Sequence, residues 1–366
     1  MTAADELEQR RKAARAACRV WLPFHGGAES ATLLAALAEA DVHGEPDRYG
    51  EGGVITELEQ EVADLLGKPA AAFMPSGIMA QQAVLRAWAD RAGVPRVAVH
   101  GLSHLVLHEL MALTELHGIA MEHLTDDPRP PTPDDLAKLP GRLAAVTTEL
   151  PLRDAGYLLP TWEELESFAA ACHEREIPLH LDGARIWEST PYLGHSLAEI
   201  AGLADSVYVS FYKGLGALAG AAVAGPIDII DEARRWQRRQ GGTLFTLLPY
   251  AVAAREGLHR NLPRMTEYYE TAVELAKRLT AAGLRTVPDP PVTNAFRIYT
   301  EESADDVNER LLLHMETAHE ALAPWFRDSD APGWSWTEFT VGSATCEFGA
   351  AEVADRLVAQ LVRTES

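Results

Sequence analysis

The chain is short of cysteine and of positive charge, and each shortage narrows what it can be. Three cysteines stand among 366 residues, Cys18, Cys172 and Cys346, far apart and with no CxxC pair. That spacing supports neither a thiolate zinc site nor a disulfide framework, and no metal is expected; it fits a reducing, cytoplasmic setting. Lys and Arg number 32 against 54 Asp and Glu, a formal net charge of −22. Nucleic acid and anionic membrane surfaces both demand basic patches, so neither is an expected partner. No apolar run is long enough to span a bilayer, and the N-terminus is charged with no signal-like segment. Internal repeats and low-complexity linkers are also missing.

What is present reads as an enzyme-sized α/β protein. The hydrophobic fraction of 47% is ordinary for a globular chain, and 366 residues exceed one small core. A helical arm is expected over residues 1–45, a large domain over 46–255 and a smaller C-terminal α/β domain over 256–366. Residues 2 to 18 and about Glu29 to Ala40 read as helices, separated by Pro23-Phe24-His25-Gly26-Gly27. A loop with Gly44, Pro46, Gly50, Gly52 and Gly53 follows. Thr56 to Leu66 has helical spacing, with Leu58, Val62, Leu65 and Leu66 on one face. Strands and helices then alternate: Ala71–Phe73, a helix from Ile78, Val97–Val99, a helix from Leu105, Ala144–Thr147. Thr161 to Arg175 forms a helix that Thr161 caps, with Glu164 three residues on. An apolar run spans Leu218 to Ala224, and a long helical stretch about 248 to 282. Strands near Ala295–Ile298 and Trp334–Val341 and a helix from Ala351 close the chain. The alternation means a mostly parallel sheet with helices on both faces.

Two runs carry the chemistry. Ile177-Pro-Leu-His180-Leu-Asp182-Gly-Ala-Arg185 and Asp205-Ser-Val-Tyr-Val-Ser-Phe-Tyr-Lys213-Gly-Leu-Gly216 each read as a buried strand ending in polar residues. One helix and its turns fit between them. Consecutive parallel strands joined by a crossover place their C-terminal ends side by side. That brings Asp182 and Lys213 to the sheet edge where open α/β folds bind ligands. Buried strands often end in Asp, and Lys-Gly is often a plain turn; the pair at this spacing is the stronger signal. Pyridoxal phosphate needs such a pair: a lysine for the Schiff base and a carboxylate to keep the pyridine nitrogen protonated. A phosphate site is expected at Pro75-Ser76-Gly77-Ile78, where a strand turns into a helix N-terminus. His104, at the next strand-to-helix junction, suits stacking on the cofactor ring, with His108 and Glu109 one turn later as partners or as a solvated helix face.

Taken together, Tyr49-Gly50-Glu51, Leu58-Glu59, Pro75-Ser76-Gly77, His104, Glu149, Asp182-Gly183-Ala184-Arg185 and Lys213-Gly214-Leu215-Gly216 resemble the threonine aldolase and β-eliminating lyase group. These are pyridoxal-phosphate enzymes of fold type I. The resemblance is strong over about residues 40 to 260 and loose elsewhere. It implies that Lys213 is the Schiff-base lysine, that Asp182 binds the pyridine nitrogen and that His104 stacks on the ring. It implies phosphate binding by Ser76, Gly77 and Ile78, and a cofactor or substrate contact for Arg185. Glu149 and Tyr49 complete the substrate side, with the segment around Tyr49 approaching a neighbour's site in a homodimer or homotetramer.

The chain also departs from that group. Phe24-His25-Gly26-Gly27 stands where Ser-Asp-Thr is usual, Tyr212 where a serine precedes the lysine, and Ile78 where a threonine contacts phosphate. Glu149-Leu150-Pro151-Leu152 replaces Glu-Asn-Thr-His. Gln240-Gly241-Gly242-Thr243-Leu244-Phe245 replaces Gly-Gly-Gly-Met-Arg, and Trp336-Thr337-Glu338-Phe339-Thr340-Val341 lacks the expected arginine. Two anion-binding residues are therefore missing, with Arg153, Arg238 or Arg239 as substitutes; Trp334, Trp336 and Phe339 line a larger pocket or fill a core. The expected activity is cleavage of a β-hydroxy-α-amino acid to glycine and an aldehyde, with threonine a poor substrate. The alternatives are β-elimination or transaldolation, and a weakly active pyridoxal-phosphate-binding relative.

Overall fold

A computed structural model of the chain describes residues 3–27, 30–40 and 45–362. Glu29 and Gly44, named above, lie outside the described residues. Two compact units are present, Leu33–Pro263 and Met1–Thr32 with Arg264–Ser366. Among the described residues no helix is long and apolar enough to cross a membrane.

Among the described residues the larger unit is built on seven strands: β1 (Ala70–Met74), β2 (Arg96–Val99), β3 (Ala120–His123), β4 (Ala145–Glu149), β5 (Leu179–Gly183), β6 (Ser206–Ser210) and β7 (Ala221–Gly225). Their order is β1-β7-β6-β5-β4-β2-β3. From β6 to β3 every neighbour pair is parallel. Only β7 breaks the rule, running antiparallel to both β6 and β1. All residues of β4, β5, β6 and β7 are buried. A strand covered on both faces carries a continuous apolar run instead of an alternating one, which is how these segments read in the sequence.

The covering helices follow their apolar stripes. Gly77–Ala92 packs against Ile227–Arg239, which buries Ile229, Ile230, Ala233 and Gln237 at helical spacing. Gln237 keeps its amide satisfied there by donating to the Phe73 carbonyl at 3.0 Å. Trp162–Glu174 begins with the expected cap: Thr161 Oγ accepts from the Glu164 N–H, and the Glu164 carboxylate accepts from the Thr161 N–H. Such a cap contributes about 0.5–2 kcal/mol.

Several elements differ from the sequence reading. The helix from Leu105 is a single turn, His104–Leu107, and a second short helix follows at Ala112–His117. Leu110 and Met111 between them adopt positive φ, which no continuous helix accommodates. The crossover from β5 to β6 holds three short helical pieces, Ile186–Glu188, Thr190–Leu193 and Leu197–Gly202, because Pro191 and the left-handed Gly194 interrupt it. Strand β3 was not foreseen; its four residues are exposed or half-buried at the sheet's edge and carry no apolar run.

The smaller unit carries β8 (Arg285–Val287), β9 (Ala295–Thr300), β10 (Arg327–Asp328) and β11 (Ser335–Thr340) in the order β10-β11-β9-β8, all antiparallel. Here the strands alternate: Ser335, Thr337 and Phe339 are buried and Trp336, Glu338 and Thr340 are half-buried. Phe339 therefore packs on Phe296 in the core, while Trp336 points to the other face, beside Tyr299 and under the Arg297 and Arg327 guanidinium groups. The three aromatic residues of this segment do not form one cluster. Helix Met265–Ala281 packs against Ser343–Leu361, which starts earlier than expected and kinks at Gly349, φ 78°.

Candidate active site

The register of the large sheet sets the site. Glu149 at the end of β4 pairs with Asp182 on β5, and Asp182 pairs with Tyr208 on β6. A carboxyl, a carboxylate and a phenol thus form one row near the C-terminal edge of three parallel strands. Beyond Ser210 the chain leaves β6 through Phe211 and Tyr212 and reaches Lys213, which is half-buried. The Lys213 ammonium draws down the proton affinity of Asp182, Glu149 and Glu188 alike, so it lies within electrostatic reach of all three.

Burial works in the opposite direction. Asp182 is 3% exposed. Burial raises its carboxyl above the usual range, opposed by Lys213, by the Ala184 N–H donating to Oδ1 at 3.1 Å and by the Gln81 amide donating to Oδ2. Glu149 is pushed up to about 8, first by burial and then by the neighbouring Asp182 charge. Glu109 is also raised by burial.

His104 opens its short helix with its N–H donating to Glu149 Oε2 at 3.1 Å. Its ring Nδ1 lies 3.0 Å from Oε1 of the buried Glu109. The ring of His108 is 5.2 Å away and its Nε2 sits 2.8 Å from Asp154. Glu109 is thus a buried partner of His104, and His108 turns outward to Asp154.

Arg185 and Lys213 are linked through Glu188. Arg185 Nη1 donates to both Glu188 oxygens at 3.0 Å, and the Gly214 N–H also donates to Glu188. Glu188 is buried, and a Cβ at Gly214 would sit on its carboxylate, so the residue after the lysine has to be glycine. The Arg185 guanidinium also lies 5.4 Å from the Tyr157 ring centroid.

Ser76 precedes helix Gly77–Ala92 in an extended conformation, and its hydroxyl makes no capping bond. The first amides of this helix have no intrahelical acceptor, and the helix dipole favours an anion there. Gly77 is required for a reason the sequence did not reveal: a Cβ would overlap the Tyr208 hydroxyl. Ile78 is 38% exposed. Tyr49 stands apart from this group among the described contacts. It is 60% exposed, at positive φ, with its ring edge-on to Phe245 at 5.6 Å. Arg153 donates its backbone N–H to Glu149 Oε1 at 3.4 Å. In the smaller unit, Glu338 faces Arg297 across the β9–β11 pair at 3.9 Å.

Residues 29–303 match the family model described as beta-eliminating lyase. The chain belongs to the beta-eliminating lyase family. It is a lyase, and pyridoxal phosphate is its cofactor. A crystal structure from Listeria monocytogenes, provisionally assigned as an L-allo-threonine aldolase, is 40% identical with a TM-score of 0.89, over 96% of this chain and 98% of that one. The low specificity L-threonine aldolase of Escherichia coli K12 is 28% identical over 322 residues, 80% of this chain and 93% of the relative. Threonine aldolase of Leishmania major, at 18% identity and TM-score 0.71, shares the fold.

The lyase's residues fit its cofactor. Ser103 Oγ and Ser210 Oγ are buried without a hydrogen-bond partner among the described residues. Buried polar atoms rarely stay unpaired, so these two hydroxyls, one next to His104 in the chain and one three residues before Lys213, are open to a polar ligand. Reading the sequence missed Gln81, His180, Glu188, Ser206 and Tyr208. A signal existed for His180 and Ser206, since a polar residue inside a fully buried run needs a partner.

The raised Glu149 has a measurable consequence. Its folded-state value, about 8, stands above the 4.5 of an unperturbed glutamic acid. The folded chain therefore holds this proton more tightly than the unfolded chain. The stability this contributes is complete below about 4.5 and is lost as pH rises through about 8. Cofactor-free Glu149→Gln lyase is expected to lose less melting temperature across that interval than the parent. Parallel melting curves against pH for the two proteins would remove this assignment.

Proposed function

We propose that the lyase cleaves a β-hydroxy-α-amino acid between Cα and Cβ, releasing glycine and an aldehyde. The observation that carries this reading is the 3.0 Å pairing of His104 Nδ1 with buried Glu109 beside the edge that bears Asp182 and Lys213. With Nδ1–H donated to Glu109, His104 Nε2 keeps its lone pair and can take the proton from the substrate's β-hydroxyl. Glu149 holds the His104 backbone and so fixes where the ring points.

Ser76, Gly77 and Ile78 hold the cofactor phosphate at the helix N-terminus. Asp182 would bind the pyridine nitrogen, His104 would stack on the ring and Lys213 would be the covalent anchor. When bound, pyridoxal phosphate supplies the electron sink for the bond broken at Cα. A free Lys213 amine would take up or release a proton at Nζ. Arg185, Glu149 and Tyr49 form the substrate side, with Tyr49 contributed toward a neighbouring protomer of a homodimer or homotetramer. A cytoplasmic location accords with the cysteine usage. The names of the Escherichia coli and Listeria monocytogenes relatives support aldol cleavage.

We infer further that threonine is a poor substrate. By the resemblance in sequence, Phe245, 63% exposed, and Glu338, 3.9 Å from Arg297, stand where threonine aldolases carry arginines. A charge-assisted hydrogen bond to a carboxylate contributes roughly 1.5–3 kcal/mol, about ten- to a hundredfold in affinity. The test is incubation with threonine, allo-threonine, phenylserine and serine, assaying glycine, aldehyde and pyruvate. Glycine with aldehyde, fastest from the bulkier phenylserine, is expected. Pyruvate alone would move the assignment to β-elimination. Threonine cleavage with a KM in the usual range of roughly 1 μM–1 mM would show that another cation replaces the missing arginines.

A further inference from the structure

Behind Asp182 lies a chain of buried polar side chains that aldol chemistry does not itself require. Gln81 Nε2 donates to Asp182 Oδ2. Gln81 Oε1 is 2.7 Å from His180 Nε2, and His180 Nδ1 is 2.8 Å from Ser206 Oγ. Ser206 Oγ accepts from Trp88 Nε1–H at 2.9 Å. Gln81, His180, Ser206 and Trp88 are each at most 3% exposed. They come from three elements: helix Gly77–Ala92, β5 and β6.

With Asp182 ionised, as it must be to hold a proton on the cofactor, the chemistry of the groups sets the direction of every bond. A carboxylate only accepts, so Gln81 must turn its NH2 to Asp182 and its carbonyl to His180. His180 must then carry its proton on Nε2. Its Nδ1 is left with a lone pair and takes the Ser206 hydroxyl proton. The Ser206 oxygen in turn receives the indole N–H, which can only donate. Burial keeps the imidazole neutral, with its pKa brought down to about 3. All four links therefore point their donors toward Asp182, and bonds aligned in series strengthen one another.

We infer that Trp88, Ser206, His180 and Gln81 are positioning residues that lower the proton affinity of Asp182, so that the shared proton stays on the pyridine nitrogen of the cofactor. This rests on the reading that Asp182 faces that nitrogen. Without the Gln81 donor, the buried carboxylate competes better for the proton, and the ring becomes a neutral pyridine and a weaker electron sink. Burial alone would produce that outcome, and the relay opposes it.

The test uses the full chain loaded with pyridoxal phosphate labelled with 15N in the ring, and reads the ring-nitrogen resonance together with the cofactor Kd. The parent is expected at the pyridinium position. Gln81→Met keeps the side-chain length and removes both polar atoms. It is expected to move the resonance toward neutral pyridine and to weaken cofactor binding about tenfold, the lower end for a hydrogen bond to a charged group. His180→Gln still offers an N–H to Gln81 and should stay near the parent position. A purely structural role would lower the melting temperature and leave the resonance in place. Gln81→Met with an unmoved resonance and an unchanged Kd overturns the inference. If that variant does not fold, Ser206→Ala decides by the same resonance: a smaller shift in the same direction supports the relay, and no shift overturns it. Asp182→Asn separates the two readings. It should give neutral pyridine whatever the relay does, and a resonance still at the pyridinium position would remove the Asp182 assignment and the relay with it.

Discussion

Asp182→Asn is expected to fold as the parent does and to lose about a hundred- to a thousandfold in kcat. The magnitude is that of removing one preorganised electrostatic group from an enclosed site. Asparagine matches aspartate in shape, and its carbonyl can still accept from the Ala184 N–H or from Gln81. What it lacks is the negative charge that holds a proton on the pyridine nitrogen. Folding should not suffer, because burial already disfavours the charged form of Asp182 in the cofactor-free chain. The melting temperature of the cofactor-free variant should therefore equal or exceed the parent's, while turnover at saturating cofactor collapses. A kcat within threefold of the parent, on the substrate that the parent cleaves best, would show that Asp182 does not face the nitrogen.

The sheet was legible because burial on both faces writes β4, β5 and β6 as compact apolar runs, and because parallel strands joined by one crossover become neighbours. Asp182 and Lys213 were legible for the same reason: each is a polar residue at the C-terminal end of such a run. The cap at Thr161 was legible because its signal is local. Strand β3 was not, since an edge strand with exposed residues leaves no apolar trace. The partners of the site were hidden for another reason. Gln81 is 101 positions from Asp182 and Glu188 is 26 positions from Gly214, and no local pattern encodes contacts of that kind. Gly77 was read as a place for phosphate to approach, and its neighbour in the fold, the Tyr208 hydroxyl, became visible only once β6 was in place. Arg185 was read as a cofactor or substrate contact; its pairing with the buried Glu188 follows from a three-residue spacing that the sequence did carry.

Lys213→Ala is expected to abolish covalent capture of the cofactor and with it all measurable turnover. The chain has five lysines, Lys12, Lys68, Lys138, Lys213 and Lys277, so the site of capture can be mapped without ambiguity. Lys68 is the chemical rival, because burial lowers its pKa and makes its amine more available. Its place argues against it. Lys68 precedes β1 and donates to the Ala204 carbonyl, just before β6, at the N-terminal edge of the sheet. Lys138 is spent on Asp135, and Lys12 and Lys277 lie exposed on helices Ala3–Ala17 and Met265–Ala281. Lys213 alone is held at the C-terminal edge, with Asp182, Glu149 and Glu188 all feeling its charge. The loop is fixed there by the Gly214 N–H on Glu188, which aims the lysine and limits the entropy lost on capture. Borohydride reduction of the holoenzyme followed by peptide mapping should place the pyridoxyl group on Lys213, and the Lys213→Ala protein should carry none. A pyridoxyl group on Lys68, or a reducible adduct that survives Lys213→Ala, would move the active site to the other edge of the sheet.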